Sequence, residues 1–175
     1  MTSQERRKLV LEFISEQHQH PVSASAIAAK FGVSRQIIVG DIALLRASGE
    51  DISATPRGYV YQNKSAETGL TATIACQHDD ASLQDELYTI VDNGGGVLDV
   101  TVEHPVYGQI MGQLQLFSRF DVDSFCRKLK ESTAPPLSYL TGGIHLHTIS
   151  FADNDTFERI IKALDEKGFL FEKDN

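Results

Sequence analysis

Apolar positions along the chain keep one rhythm up to about residue 60 and mix two rhythms after it. Over residues 3–17, Leu9, Val10, Phe13 and Ile14 recur at helical spacing and predict a first helix. The polar turn His18-Gln19-His20-Pro21 ends it, and both of its histidines are expected to face solvent. Ser23 caps a predicted second helix over 24–31, with Ile27, Ala28 and Phe31 inward. Gly32-Val33-Ser34 is a tight turn, and Ser34 caps a third helix running from Arg35 to about Ala47. At 100° per residue, Ile37, Ile38, Ile42, Leu44 and Leu45 share one broad arc of that helix. Gln36, Val39, Gly40, Ala43 and Ala47 fall on the other. After Gly49, residues 51–54 and 58–61 read as a short hairpin turning at Thr55-Pro56-Arg57-Gly58.

The second half mixes alternation with helical stripes. Residues 70–76 alternate as a strand and end in Gln77-His78-Asp79-Asp80. Ser82 is then expected to cap a helix to about Asn93, with Leu83, Leu87, Ile90 and Val91 inward and Glu86 on the margin of that stripe. Gly94-Gly95-Gly96 stops it, and residues 97–103 read as a strand. The rigid turn His104-Pro105-Val106-Tyr107-Gly108 follows, then an extended stretch over 109–117. Arg119 lies in the next connection, and a helix is expected to start at Asp121 with Val122, Phe125, Cys126 and Leu129 inward. Pro135-Pro136 forbids helix. Gly142-Gly143 makes a turn before a strand beginning at Ile144. Residues 153–155 cap a last helix that buries Phe157, Ile160, Ile161 and Leu164. Gly168 ends it, and residues 169–171 are expected to form a closing strand.

These elements predict an α+β protein. An N-terminal winged helix-turn-helix domain over 1–63 is followed by a linker at 64–69. Residues 70–175 then form a small α/β sandwich, one antiparallel or mixed sheet with helices on one face. Composition sharpens the division. The net charge is −8, yet residues 1–64 carry eight Lys/Arg against six Asp/Glu, while residues 65–175 carry eight against eighteen. Only the first part can approach a polyanion without strong repulsion. Its third helix offers a small, nearly uncharged outer arc for a DNA groove, with Gly40 allowing close approach. Ser34, Arg35 and Gln36 stand at its N-terminal end, and Arg57 sits at the wing tip for backbone or minor-groove contact. With so few basic residues, specific binding should need a dimer on a two-fold site. No apolar run approaches a membrane span and the N-terminus is polar. Two isolated cysteines, Cys76 and Cys126, are expected to stay reduced, so the chain should be cytoplasmic.

The candidate chemistry lies in the strand Ile144-His145-Leu146-His147. Side chains two apart on a strand share a face roughly 6.5–7 Å apart along the chain, so His145 and His147 project together and could bind one metal ion. Two ligands do not make a site, and at least one more must come from elsewhere. His78, at a strand end just before the helix that carries Glu86, can approach that carboxylate.

Both halves together resemble the niacin-responsive transcriptional repressors, a winged helix-turn-helix followed by a three-histidine (3H) domain. The resemblance is carried by VSRQIIVGDIALLRASG (33–49), TPRGY (55–59), VEHPVYG (102–108) and GGIHLHT (142–148). It implies a homodimeric repressor of genes for NAD biosynthesis or niacin uptake that binds double-stranded operator DNA, with nicotinic acid as co-repressor. It also implies a divalent transition metal on His78, Glu86, His145 and His147, a donor set suited to zinc, nickel or iron(II). His104 and Tyr107 would line the effector pocket, and Arg119 could pair with the effector's carboxylate. Two rival readings keep the same metal. One is a repressor sensing the metal itself. The other is a metal-dependent hydrolase fused to a DNA-binding module, with Glu86 as base. No Gly-x-Ser-x-Gly, His-Glu-x-x-His or phosphate loop supports the hydrolase.

Overall fold

A computed structural model describes residues 1–17, 20–62 and 69–171. His18 of the polar turn and residues 64–68 of the linker lie outside the described residues; His20 is exposed. The chain divides into two compact units, 1–67 and 68–175.

The first unit has three helices, α1 (Ser3–Ser15), α2 (Ala24–Phe31) and α3 (Arg35–Ala47), then a hairpin of β1 (Ile52–Thr55) and β2 (Gly58–Tyr61). Thr2 begins α1 in a reciprocal capping box with Glu5. Ser23 and Ser34 each accept a backbone N–H at the start of α2 and α3. Val10, Ile14, Ile27, Ile38, Ile42 and Leu45 form the core, each buried side chain stabilising the unit by about 1.5–3 kcal/mol. Leu9, expected inside, is exposed. The inner stripe of α3 is also narrower than expected: Ile38, Asp41, Ile42 and Leu45 are buried, while Ile37 and Leu44 face out. Asp41 takes the inner place because Arg6 of α1 clasps its carboxylate, Nε to Oδ2 at 2.6 Å and Nη2 to Oδ1 at 3.2 Å. In the wing, Gly58 has φ +140°, and a Cβ there would lie 2.3 Å from the Val22 carbonyl oxygen. Only glycine lets the hairpin close onto the Val22–Tyr59 bridge.

The second unit is α+β, as expected. Its sheet has the order β3 (Leu70–Gln77), β6 (Ile144–Phe151), β4 (Gly96–His104), β5 (Gly108–Leu116), all neighbours antiparallel. Helices α4 (Leu83–Asp92), α5 (Arg119–Glu131) and α6 (Asn154–Glu166) pack on one face. There Leu87, Ile90, Val122, Ile160 and Leu164 share a core with Ile74, Val97, Leu116 and Ile149. Three local expectations are corrected. Asp79 rather than Ser82 supplies the cap, accepting the Ser82 N–H at 3.0 Å over a short 3-10 turn that runs into α4. Ser118 caps α5, so Arg119 is the first helical residue, and Asp121 accepts back from the Phe117 N–H at 2.9 Å. Residues 169–171 make a single bridge, Leu170 to Cys76, rather than a strand.

Candidate metal centre and nucleic-acid interface

The antiparallel register sets Cys76 of β3 opposite His145 of β6, and Ile74 opposite His147. Cross-strand partners share a face, so both imidazoles point under the helices. Glu86, in the first turn of α4, descends onto them and is 1% exposed; His145 and His147 are each 3% exposed. His78, just beyond β3, turns its ring into the same place. Its Nε2 lies 2.6 Å from Glu86 Oε2. His145 Nε2 lies 3.2 Å from Oε1, and His147 Nε2 lies 3.5 Å from Oε2. His78, His145 and His147 therefore converge on the Glu86 carboxylate.

The opposite edge of each ring is fixed by backbone. Nδ1 of His78 reaches the Asp79 carbonyl oxygen at 2.7 Å, that of His145 the Gly143 oxygen at 2.8 Å, and that of His147 the Asp99 oxygen at 2.7 Å. A carbonyl only accepts, so each Nδ1 carries a proton, and each Nε2 can meet Glu86 either as the second N–H of an imidazolium or, with a cation between them, as a lone pair. Two local features make these carbonyls available. Gly143, at φ +93°, comes so close to His78 that a Cβ would meet its carbonyl oxygen at 2.4 Å. The β4–β6 register shifts between Val97 and Thr101, which spans Asp99.

Three lone pairs facing a carboxylate at these distances require positive charge between them. Burial alone pushes the Glu86 carboxyl up; attraction to His147 and the hydrogen bonds of all three rings overcome it and hold the group well below the ordinary carboxylate range. Burial likewise opposes charge on His78 and His147, and the adjoining Glu86 outweighs it, raising both. Protons could supply the charge only as closely packed imidazoliums. A single divalent cation supplies it with every Nε2 used as a donor. Ligand atoms about 2.0–2.1 Å from a tetrahedral ion lie ~3.3 Å apart, close to the separations of His145 and His147 from Glu86, while His78, at 2.6 Å, would have to draw back. The donor set fits a metal ion.

The residues expected around the effector each make contacts of their own. His104 Nδ1 accepts the N–H groups of Val106 and Tyr107 at 3.1 and 3.2 Å, bracing its own hairpin turn. Tyr107 leans on that ring with centroids 5.1 Å apart and is 78% exposed. Arg119 forks onto Asp92, with Nε to Oδ1 at 2.7 Å, and covers the Tyr88 ring. Its exposed guanidinium is thus engaged at the surface between α4 and α5. A cavity of about 490 Å³ lies along β4 and β6, walled by Thr101, Glu103, Pro105, Thr141, Ile144 and His145. Cys76 is the residue that sequence reasoning passed over. Its sulfur, a Glu86 oxygen and a His145 nitrogen all lie within 4.8 Å of one another.

In the first unit, Arg35, Gln36 and Gly40 are exposed on α3, Ser34 is its cap, and Arg57 is half-buried at the wing turn. Ile37 and Leu44 add apolar surface to the exposed side of α3.

Comparison with known proteins gives this arrangement its family. Residues 71–173 match the 3H domain and residues 6–60 match an HTH domain. The chain belongs to the helix-turn-helix, 3H-domain transcription repressors. Among its relatives is the probable transcription repressor NiaR of Thermotoga maritima, 43% identical over 170 residues, covering 97% of this chain and 95% of the relative. The transcription repressor NadR of Bacillus subtilis is 40% identical over 167 residues, covering 94% and 92%. The repressor is therefore not an enzyme, and the hydrolase reading falls. Among the described residues no helix is long and apolar enough to cross a membrane.

Proposed function

We propose that the repressor controls genes of NAD biosynthesis or niacin uptake. Nicotinic acid acts as co-repressor beside a divalent transition metal ion (zinc, nickel or iron) held by His78, Glu86, His145 and His147. The carrying observation is the convergence of three backbone-pinned imidazoles on one buried carboxylate. A divalent ion on these donors would keep a coordination position for the carboxylate or the pyridine nitrogen of the effector. The ion would supply a Lewis-acid position for that ligand. The residues named here would hold the ion and orient it, His104 and Tyr107 would line the effector pocket, and Arg119 is engaged by Asp92. The domains act as 1–63 for DNA and 70–175 for sensing, with 64–69 between them, in a cytoplasmic homodimer that places two α3 helices on a two-fold operator.

Effector binding can favour the DNA-binding state only by its differential affinity for that state. The test is fluorescence anisotropy on a DNA fragment recovered by selection from genomic DNA, with metal-loaded protein. Nicotinic acid should tighten binding, and chelator should abolish that gain. Unchanged affinity at saturating metal would replace this reading with that of a repressor sensing the metal itself.

A further inference from the structure

We propose that Cys76 is a further ligand of the ion, its thiolate sulfur joining His78, Glu86, His145 and His147. The inference deepens the metal reading above and rests on it. Cys76 is fully buried and lies directly across the sheet from His145, on the face that also carries His147. Its sulfur, the Glu86 carboxylate and a His145 ring nitrogen lie within 4.8 Å of one another. Two ligands of one ion, a sulfur at ~2.3 Å and a nitrogen or oxygen at ~2.0–2.1 Å, can be no further apart than ~4.4 Å. With sulfur and nitrogen on opposite sides of the ion the two limits differ by a few tenths of an ångström, so the side chains must close in by at least that much.

Charge and chemistry support the same assignment. Without the effector, a divalent ion on Glu86 and three neutral rings leaves an uncompensated positive charge among Ile74, Leu87 and Phe169. A thiolate beside Glu86 makes the buried group neutral. On binding, the S–H bond breaks, a metal–sulfur bond forms, and the proton passes to solvent. A sulfur donor also shifts preference toward zinc, nickel and cobalt and away from manganese and magnesium. Cys126, on α5, belongs to the hydrophobic core and joins no cluster of metal-ligating side chains among the described residues.

Cobalt(II) absorption tests the assignment on the whole chain, metal-free and without effector before loading. The expected spectrum has visible d–d bands together with a near-ultraviolet thiolate-to-cobalt charge-transfer band. Cys76→Ser should lose the charge-transfer band and keep the d–d bands, while Cys126→Ser should keep both. Visible bands without charge transfer, or a charge-transfer band that survives Cys76→Ser, would overturn the sulfur ligand and leave the histidine–glutamate site standing. Absence of any cobalt bands would overturn that site and the sulfur ligand together. Should Cys76→Ser fail to fold, X-ray absorption of the zinc-loaded native chain decides: a sulfur shell at about 2.3 Å is expected, and a shell of only nitrogen and oxygen contradicts it.

Discussion

Asp41 on α3 and Glu86 on α4 are both carboxylates taken out of water on the inner face of a helix, one in each unit. Their partners differ in kind. Asp41 meets a permanent cation, the Arg6 guanidinium, with Arg7 Nη1 3.8 Å away. That pair is complete, and it ties α1 to α3 beneath the DNA-facing surface. Glu86 meets three imidazoles whose charge is conditional, each already spending its other nitrogen on a backbone carbonyl. A carboxylate paired with a fixed cation is a structural clasp. One ringed by neutral bases is a socket for a cation that comes and goes.

Substitution of each carboxylate separates the two roles most strongly. Glu86→Ala should weaken zinc binding by at least ~100-fold in calorimetry, since the lost group is a direct ligand rather than a supporting partner. With the rings protonated, losing their buried counter-charge should also destabilise the second unit by roughly 3–5 kcal/mol. Asp41→Ala should leave zinc affinity unchanged while loosening the first unit. Equal zinc affinity in both variants would erase the distinction.

Acidity gives the next largest contrast. Because His78 and His147 are raised in the folded chain, their stabilisation is complete below an unfolded value of 6.5. It is lost as pH climbs through their higher folded values. The depressed Glu86 contribution is present above its ordinary 4.5 and disappears only as pH falls well below that. In chelator, the thermal stability of the second unit should therefore decline from about pH 6.5 upward. In zinc it should rise over the same window, because the ion competes with protons for the same nitrogens. A chelated protein that gains stability across that window would contradict the assignment.

The DNA-facing side should respond more gently. Arg35→Ala should lower affinity similarly across sequences and reduce the salt slope by about one phosphate contact, read by anisotropy at several salt concentrations. Smallest of all is Arg119→Ala. Its fork is held by Asp92 at the surface, so zinc and nicotinic acid affinities should change by no more than about twofold in calorimetry. A larger loss would return Arg119 to the effector site.

Much of this was legible because its cause is local. The His-x-His pair shows its shared face through strand alternation alone, and Ser23, Ser34 and Asp153 announce helix starts by their side-chain chemistry. What stayed hidden depends on contacts between distant elements. Asp41 reads as a surface residue until Arg6, 35 positions away, is seen to pair with it. That pairing narrows the inner stripe of α3 and sends Ile37 and Leu44 outward. Asp79 displaced Ser82 as a cap because a 3-10 turn precedes α4, a difference of three residues that periodicity does not resolve. Cys76 could have been found from its spacing two before His78, but its approach to Glu86 needs the β3–β6 register. The carbonyls of Asp79, Asp99 and Gly143 that orient the rings are backbone atoms, and no side-chain type reports them.

Anomalous diffraction from crystals grown with zinc tests the central claim most directly. The account predicts a single strong peak at the zinc edge within bonding distance of the Nε2 atoms of His78, His145 and His147 and of the Glu86 carboxylate. A peak elsewhere, or three rings still turned individually onto Glu86 with no ion among them, would contradict it.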